Sequence, residues 1–389
     1  MRVALFTETF LPKRDGIVTV ICLLLDHLAK RGVESIIIAP TIADGLGEQI
    51  TQYANTEVVR VPGVTFPLYP QLKAGPPTYA TYDRLKAFNP DIVHIIHPVL
   101  IGGFGILMAK QLGIPNLTSF HLDISQVIKH FNLGPINMGF LTSPIDLATR
   151  IMFNMADYTL APSRIIQRKM LDIGVQRVGL WKRGVDAEKF NPRFRSEEMR
   201  YQLSDGHPED TLLVYVGRLS PEKQVTQLRA ALERVPGTRL ALVGDGPYES
   251  ELRQYFDGYP VKFMGRMTGE PLSQAYASGD IFTFASASET FGLVVTEAMA
   301  AGLPVVSSRV GGIPDVVEEG VTGYTFDVND VDGLVKGVQA IAADKDNMHR
   351  MGEAARAFAE TQTWDAMMDE VIDHYARLIE AHQHTLNFA

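Results

Sequence analysis

Cysteine is almost absent from this sequence, because Cys22 is the only one in 389 residues. A single cysteine excludes an internal disulfide framework and fits a reducing cytoplasm. The sequence also lacks a run of about 20 apolar residues, the length that a membrane-spanning helix needs. The first ten residues do not have the pattern of a signal peptide. We therefore expect a cytoplasmic protein without membrane-spanning helices.

Acidic residues are concentrated in the second half of the chain. Residues 1–185 carry 18 Lys and Arg against 13 Asp and Glu, and the remainder carries 18 against 32, so the net charges are +5 and −14. The acidic total of −9 argues against general nucleic-acid binding. The basic first half suits contact with an anionic membrane surface, although chance variation would produce the same asymmetry.

Short β-rich runs alternate with helical patterns in both halves of the chain. Runs of this kind are typical of buried parallel strands. The predicted strands cover 2–6, 34–39, 91–96, 116–120 and 158–161 in the first half, and 212–216, 238–243, 261–264, 281–284 and 304–307 in the second. Predicted helices in the first half cover 18–30, 101–112 and 164–172. Two such sets predict an α/β protein with two doubly wound, Rossmann-like domains that face each other across a cleft.

The length of the chain also suits two domains, at about 150–200 residues each. We expect an N-terminal domain over 1–185 and a C-terminal domain over 186–362. A final segment, 363–389, holds a long amphipathic helix, which we expect to pack toward the N-terminal domain. In doubly wound domains, ligands bind at the carboxyl ends of the strands.

Two glutamates, Glu289 and Glu297, stand eight positions apart and flank an apolar segment. The preceding run 280–285 predicts a strand, which places Glu289 in a strand-to-helix loop and Glu297 inside the helix that follows. Backbone N–H groups at 291–293 would open that helix, where a phosphate can bind. The carboxylates can accept hydrogen bonds from sugar hydroxyls. The segment suits a nucleotide-sugar, although chance alone produces many such glutamate pairs.

Two cations, Arg218 and Lys223, follow the predicted strand 212–216 and the tight exit that Gly217 permits. At this edge they could neutralise a diphosphate leaving group, and stabilising developing charge is usually the largest catalytic term. A solvated loop whose cations pair with surface acids would have the same sequence.

Three glycine-containing turns also follow predicted strands. Gly244-Asp-Gly-Pro247 and Gly311-Gly312 are compatible with structural turns or with close backbone contact to a ligand. Asp15-Gly16 lies where phosphates or sugars approach the backbone of such domains.

Three histidines lie near strand ends of the first half. His121 is predicted to face the cleft. His94 and His97 are predicted to be packing residues, with His97 as the second candidate to line the cleft.

Together these motifs resemble the retaining, GT-B-fold glycosyltransferases of family 4. The likeness includes Gly217-Arg-Leu-Ser-Pro-Glu-Lys223, Gly244-Asp-Gly-Pro247, Gly312-Ile-Pro-Asp315 and the two glutamates. The linker Leu180-Trp-Lys-Arg-Gly-Val-Asp186 and the segment 190–200 resemble the sulfolipid synthases, which transfer sulfoquinovose from UDP-sulfoquinovose to diacylglycerol. The resemblance is strongest in the C-terminal half.

The resemblance implies a role for each site residue. Arg218 and Lys223 would hold the donor diphosphate, Glu289 the transferred sugar and Glu297 the ribose. His121 would bond the sugar near its anomeric carbon, and the catalytic set would be His121, Arg218, Lys223 and Glu289. The remaining donor contacts would come from Gly16, Arg183, Gly217, Gly244, Asp245, Arg266, Thr290, Phe291, Gly292, Leu293 and Val294.

Two departures from the family pattern affect these roles. Asp15-Gly16 stands where paired glycines are common, and Phe-His-Leu-Asp surrounds His121 in place of the Tyr-His-Thr pattern of lipid-acting relatives. The resemblance also implies no cofactor and no dedicated metal site, although Mg²⁺ could accompany the donor. Front-face attack by the acceptor oxygen is our hypothesis for the mechanism.

The expected partners are a UDP-sugar, a lipid acceptor and an anionic membrane surface on the cytoplasmic side, without nucleic acid. Apolar residues lie beside basic ones in 125–158 and in 62–77, a composition that suits shallow insertion and equally suits an ordinary core. Alternatives are UDP-glucose or another neutral donor, a soluble acceptor, and a nucleotide-sugar-binding protein without turnover.

Overall fold

The computed structural model describes residues 1–13, 16–41, 48–66, 69–123, 132–133, 136–137 and 142–387. The chain forms two compact domains. The first domain comprises Met1–Lys182 and Asp365–Ala389, and the second comprises Arg183–Trp364. The C-terminal segment therefore belongs with the N-terminal half of the chain.

The first domain is built on an eight-stranded sheet with the order β12-β11-β8-β7-β1-β2-β4-β3. All its pairings are parallel except that of β3 with β4. Two short hairpins, β5–β6 and β9–β10, stand apart from this sheet. The strands are β1 (Arg2–Thr7), β2 (Glu34–Pro40), β3 (Gln52–Tyr53), β4 (Thr56–Val61), β5 (Val64–Phe66), β6 (Tyr69–Ala74), β7 (Ile92–Ile96), β8 (Asn116–Ser119), β9 (Asn132–Leu133), β10 (Ile136–Asn137), β11 (Tyr158–Ala161) and β12 (Val178–Leu180).

In the described parts of the first domain, five helices lie between these strands: α1 (Gly16–Lys30), α2 (Tyr79–Phe88), α3 (Ile101–Leu112), α4 (Thr142–Asn154) and α5 (Arg164–Asp172). The glycines of α3 let it lie close to the sheet, because a Cβ on Gly105 would stand 2.7 Å from the Phe6 ring. Among the described residues, none of the helices has both the length and the hydrophobicity that crossing a bilayer requires.

The second domain is built on a six-stranded sheet, entirely parallel, with the order β15-β14-β13-β16-β17-β18. Its inner strands are buried along almost their whole length, as continuous apolar runs in a parallel sheet must be. The strands are β13 (Thr211–Val216), β14 (Thr238–Val243), β15 (Val261–Gly265), β16 (Ile281–Phe284), β17 (Val305–Ser308) and β18 (Gly323–Phe326).

Seven helices accompany this sheet, with four short 3₁₀ turns at Pro192–Phe194, Pro221–Lys223, Val225–Leu228 and Ile313–Asp315. The helices are α6 (Glu197–Leu203), α7 (Arg229–Arg234), α8 (Glu249–Tyr255), α9 (Gly269–Ala277), α10 (Leu293–Ala300), α11 (Val331–Ala342) and α12 (Lys345–Glu360). One large apolar core spans the domain, and Tyr215, Phe282 and Phe284 stack within it.

The C-terminal helix, Trp364–Asn387, packs on the first domain. The buried His27 of α1 contacts Asp365 and Asp369 of this helix at 3.2 and 2.7 Å. Further along, the Tyr375 hydroxyl contacts His94 of β7. These contacts fix the helix to the first domain.

The two Rossmann-like sets predicted from the sequence are confirmed, with strand ends shifted by one residue at most. The strand predicted from Pro304 begins at Val305, and helix α1 begins two residues before the predicted start. Four strands of the two sheets, β3, β4, β12 and β18, were not predicted. Asp15 lies outside the described residues.

Candidate functional site

The second sheet has its topological switch point between β13 and β16, because β14 lies on the other side of β13. In open α/β sheets, ligands bind outside the carboxyl ends of the strands at such a point. Two of the predicted site segments leave these two strands. Gly217–Lys223 follows β13, and the loop that carries Glu289 follows β16.

An ion pair joins these two segments: Lys223 Nζ contacts Glu289 Oε1. Both side chains keep less than a fifth of their surface exposed, at 17% and 18%. Lys223 also lies 5.4 Å from the centre of the Phe284 ring. The two loops are tied further by a backbone bond from Ala287 N–H to Glu222 O, at 2.8 Å. A cation and a carboxylate are therefore held together at the switch point.

The loop that carries Glu289 is fixed by two glycines of another loop. Gly311 has a φ of +54°, and a Cβ there would stand 2.2 Å from Glu289 O. A Cβ on Gly312 would meet the Phe291 ring at 2.7 Å. These glycines therefore allow one backbone to lie against the other, the close-approach role of glycine.

Helix α10 begins directly behind this loop. Gly292, with a φ of +86°, is its N-cap, and Leu293 and Val294 are its first residues. The first N–H groups of a helix have no carbonyl partner within it, so they can bond anionic oxygens. Phe291 is buried and anchors the turn, and Thr290 is half-buried. The residues predicted to hold a phosphate therefore lie at a helix start, and phosphate binding there stays a prediction.

Glu297 lies inside α10, as predicted, and accepts a 2.8 Å hydrogen bond from the Tyr276 hydroxyl. Burial raises the pKa of Glu297 to about 7, and the bond from Tyr276 together with the charge of Lys189 opposes this shift. Its carboxylate titrates near neutral pH, where an added hydroxyl donor would favour the ionised form.

Arg218 is exposed, and among the described residues no hydrogen bond or ion pair engages its side chain. Its backbone carbonyl accepts a 2.9 Å bond from the Tyr215 hydroxyl, which fixes the main chain while the guanidinium projects into solvent. An exposed guanidinium at this strand end can bind phosphate oxygens in a bidentate manner.

The turn 244–246 packs against the loop that carries Arg218. A Cβ on Gly244 would stand 1.9 Å from Gly217 O, and Leu219 N–H donates to Asp245 O at 2.8 Å. This turn has a structural function in holding 217–219, and the Asp245 side chain is exposed. Arg266, which follows β15, is also exposed.

Three of the predicted residues belong to other parts of the chain. Gly16 opens α1 and His121 follows β8, both in the first domain. Arg183 is the first residue of the second domain. It is buried, and burial lowers its pKa to about 9, so the guanidinium stays charged at neutral pH.

His121 is buried, and its Nε2 lies 2.8 Å from Ser119 Oγ. Its backbone N–H donates to His97 Nδ1 at 3.3 Å. His97 has a φ of +57° and contacts the rings of Phe120 and Phe153. Burial lowers the pKa of His97 to about 4, although the charge of Asp123 opposes the shift. His97 is therefore a neutral packing residue that also positions the backbone of His121.

A small pocket lies beside His97 in the first domain. His97, Phe120 and Leu122 form part of its wall, and Asp123 and Lys169 add an ion pair at 2.5 Å. Helix α4 contributes Asp146 and Thr149, and Met170 and Ile173 complete the wall. The pocket combines apolar surface with two carboxylates and one lysine.

Sequence reasoning missed several residues that support these positions. Glu8, after β1, accepts bonds from Val99 N–H and Gly102 N–H, at 3.2 and 2.9 Å. Burial raises its pKa and the backbone bonds oppose this. Its place after the first strand was the only signal. The sequence contains no signal for the roles of Tyr276 and Tyr375, because their hydrogen-bond partners are distant in the chain.

Among the described residues, one cluster has the geometry to hold a metal ion: the exposed His207 and Glu209 with Asp210. Arg239 already pairs with Asp210 at 2.7 Å. None of these residues belongs to the predicted site.

Comparisons with known proteins identify the fold and the family. Residues 14–189 match the family model Glycosyltransferase Family 4, and residues 202–358 match Glycosyl transferases group 1. A sucrose-phosphate synthase from Thermosynechococcus elongatus has the same fold, with a TM-score of 0.74, 21% identity, and coverage of 98% of this chain and 99% of that one. Two Rossmann-like domains and this likeness define the GT-B fold.

Two relatives are similar in sequence to most of this chain. The sulfoquinovosyl transferase SQD2 of Arabidopsis thaliana is 39% identical over 294 residues, which are 74% of this chain and 57% of that protein. A GDP-mannose-dependent alpha-mannosyltransferase of Corynebacterium glutamicum is 33% identical over 98% of this chain and 90% of its own length. The chain belongs to the family 4 glycosyltransferases of the GT-B fold.

Proposed function

We propose that this glycosyltransferase transfers a sugar from a UDP-sugar, preferably UDP-sulfoquinovose, to a lipid acceptor, preferably diacylglycerol, at a membrane surface. The observation that carries the proposal is the pairing of Lys223 with Glu289 at the switch point, beside the start of α10. A nucleotide-sugar needs a cation and N–H groups for its diphosphate and a carboxylate for its hydroxyls. The 39% identity with a sulfoquinovosyl transferase supports this choice of donor.

In this proposal the donor separates the ion pair. Its diphosphate takes Lys223 and Arg218 as partners, and its sugar hydroxyls take Glu289. Fixed cations then stabilise the charge that develops on the leaving UDP. Since these charges belong to side chains, transfer should continue in the presence of a metal chelator.

The bond changes follow from front-face attack. The acceptor hydroxyl oxygen forms a bond to the anomeric carbon on the face from which UDP leaves, and the bond from that carbon to the phosphate oxygen breaks. The hydroxyl proton passes to the departing phosphate oxygen, so configuration is retained. His121 would bond the sugar near the reacting carbon. A trapped covalent glycosyl-enzyme intermediate would contradict this route.

We assign recognition of a sulfonate to Arg183. A sulfonate carries a permanent negative charge, and a buried guanidinium that remains charged is a strong partner for it. Arg183→Ala should lower transfer from UDP-sulfoquinovose much more than transfer from UDP-glucose. Equal losses with both donors would remove this assignment.

The lipid acceptor is supported by exposed apolar residues on two helices of the first domain. Leu147 and Ile151 of α4 are 50% and 54% exposed, and they lie on either side of the exposed Arg150. On α5, Leu171 is also 50% exposed. Apolar side chains beside arginine suit shallow insertion into an anionic interface. Most of the basic and apolar segment predicted between 125 and 141 lies outside the described residues.

A neutral donor is the second candidate. The GDP-mannose-dependent relative aligns over 98% of this chain, a longer match than that of the sulfoquinovosyl relative. A GDP-mannose or UDP-glucose donor would use the same cations and carboxylates. A soluble acceptor is the remaining alternative, since membership of a glycosyltransferase family argues against binding without turnover.

The test is turnover of purified protein with vesicles of diacylglycerol in an anionic phospholipid. UDP-sulfoquinovose, UDP-glucose and GDP-mannose are supplied separately and then in competition, and lipid products are identified by mass. Preferential formation of a sulfonated glycolipid is the expected result. A neutral glycolipid would overturn the donor assignment, and turnover only with soluble acceptors would overturn the lipid assignment.

A further inference from the structure

Four side chains of the first domain form a continuous hydrogen-bonded network that ends at His121. Tyr375 Oη lies 2.6 Å from His94 Nδ1, and His94 Nε2 lies 2.9 Å from Ser119 Oγ. Ser119 Oγ lies 2.8 Å from His121 Nε2. All four residues are buried. This network connects the C-terminal helix to His121 through strands β7 and β8.

The direction of the first bond follows from the environment of Tyr375. Burial raises the pKa of its hydroxyl well above the usual value, so the hydroxyl keeps its proton. Within the described part of the chain, His94 Nδ1 is the hydrogen-bond partner of this hydroxyl. A buried hydroxyl proton needs an acceptor. Tyr375 therefore donates to His94 Nδ1.

The later bonds follow from the first. An imidazole that accepts at Nδ1 is neutral and carries its proton on Nε2, so His94 donates to Ser119 Oγ. The Ser119 hydroxyl has one proton, which then points to His121 Nε2. An imidazole that accepts at Nε2 is also neutral and carries its proton on Nδ1. The network, rather than any observed hydrogen, assigns these tautomers.

The surroundings hold both histidine rings in place. The Trp181 ring lies 5.7 Å from the His94 ring and 5.8 Å from the His121 ring, measured between centroids. The backbone of His121 bonds His97 Nδ1, and the low pKa of His97 keeps that nitrogen an acceptor. Asp123 lies two positions after His121, and its carboxylate pairs with Lys169.

We propose that Tyr375, His94 and Ser119 are positioning residues that hold His121 as a neutral imidazole with its proton on Nδ1. His121 then acts as a hydrogen-bond donor toward an oxygen of the substrate, and it does not act as a general base through Nδ1. The substrate class is the one given above, so the catalytic consequence rests on the proposed function. The tautomer itself does not.

The direct test is nuclear magnetic resonance of protein labelled with ¹⁵N-histidine. Long-range ring correlations distinguish the two neutral tautomers, and His94→Gln and His121→Asn assign the signals. Wild type should show His94 protonated on Nε2 and His121 protonated on Nδ1. Tyr375→Phe removes the proton source, so the Nε2-protonated form of His121 should appear. Wild-type His121 protonated on Nε2, or signals unchanged in Tyr375→Phe, would overturn the proposal.

A kinetic test separates positioning from general stability. Loss of one directing hydrogen bond should lower kcat/KM of Tyr375→Phe by about fivefold, while UDP affinity stays unchanged. Tyr158→Phe is the matched control, because its ring lies 5.4 Å from the ring of His374 on the same C-terminal helix. Equal losses in Tyr375→Phe and Tyr158→Phe would reduce Tyr375 to a packing residue.

A second variant and the activity of wild type separate the tautomer proposal from the proposed function. Ser119→Ala interrupts the hydrogen-bonded network at a different point and should change the His121 signals in the same way as Tyr375→Phe. Unchanged His121 signals in Ser119→Ala would contradict the proposal that the network fixes the tautomer of His121. If wild type transfers no sugar in any assay, the proposed function fails. The resonance experiment still shows whether the network fixes the tautomer of His121.

Discussion

Lys223 and Glu289 are 66 positions apart and form an ion pair at the carboxyl ends of neighbouring parallel strands. Each residue has an opposite charge as its partner before any ligand binds. A diphosphate would compete with Glu289 for Lys223, and sugar hydroxyls would compete with Lys223 for Glu289. A UDP-sugar offers both replacements at once, whereas UDP offers only the first. Turnover should therefore depend on Glu289 more strongly than UDP binding does.

Arg218 should contribute to catalysis with little effect on stability. Its guanidinium is exposed and has no side-chain partner within the described residues. Arg218→Ala should lower kcat by about 10²–10³, the usual loss when one donor to a developing negative charge is removed. The melting temperature should stay within about 1 °C of wild type, because exposed substitutions change stability little.

The matched control for Arg218→Ala is Lys262→Ala, which removes an exposed cation of the same domain from a surface pair with Asp205. This variant should keep wild-type turnover. If Arg218→Ala and Lys262→Ala are equally active in steady-state assays, Arg218 does not contact the donor.

Gly311 should be required for the position of the Glu289 loop. A side chain there would be strained at a φ of +54° and would also meet Glu289 O at 2.2 Å. Gly311→Ala should lower the free energy of unfolding by more than about 2 kcal/mol and should reduce turnover strongly.

Gly320 provides the matched control, because its φ is +72° and no atom lies within 4 Å of the place that an added Cβ would take. Gly320→Ala therefore introduces the backbone strain without the steric clash. It should lower the free energy of unfolding by about 1 kcal/mol and leave turnover unchanged. Equal effects of the two variants in denaturant unfolding would show that the contact with Glu289 is unimportant.

Glu297 should make stability and donor binding respond to pH in opposite directions. Its pKa is about 7 in the folded protein against an ordinary value of 4.5, so the folded state binds more protons between these values. Stability should fall as pH rises from 4.5 to 7, by about 1–3 kcal/mol, and then remain constant. Donor affinity should rise through pH 7, because ribose hydroxyls need the ionised carboxylate as acceptor.

Glu297→Gln keeps an acceptor for Tyr276 and removes the titration. The difference in melting temperature between wild type and this variant, measured at pH 5 and at pH 8, isolates the carboxyl. The variant should gain stability relative to wild type at pH 8. A difference that is the same at both pH values would contradict the raised pKa.

The exposed apolar residues of α4 should matter for membranes. Leu147→Asp with Ile151→Asp places charge where insertion requires apolar surface, so sedimentation with anionic vesicles should fall by more than about tenfold. Tyr201 and Val321, exposed apolar residues of the second domain, are the control positions. Loss of vesicle binding in Tyr201→Ser with Val321→Ser, and none in the α4 variant, would move the contact surface to the second domain.

Much of the fold was readable because parallel strands buried on both faces are continuous apolar runs. Tyr158–Ala161, Thr238–Val243 and Ile281–Phe284 have the same bounds in prediction and structure. The strands β12 and β18 are short and lie at sheet edges, where partial exposure weakens the apolar pattern. Edge strands of this kind are hard to distinguish from loops.

The site was readable only in part. Motif spacing places Glu289 in a loop and Glu297 in a helix, because both positions are local consequences of strand, turn and helix signals. Spacing cannot reveal that Lys223 pairs with Glu289, or that Tyr375 bonds His94 across 281 positions. Such contacts depend on the order of strands in the sheet and on the return of the C-terminal helix. His94 was accordingly predicted as packing alone.

The most direct test of the account is calorimetric titration of UDP and of a UDP-sugar into wild type, Lys223→Ala and Glu289→Gln. We predict that Lys223→Ala binds UDP at least about tenfold more weakly than wild type, since charge-assisted bonds to phosphate are lost. Glu289→Gln should bind UDP at least as tightly as wild type, because the competing carboxylate is gone, and should bind the UDP-sugar more weakly. UDP affinity that is identical in wild type and Lys223→Ala would contradict a donor site at this ion pair.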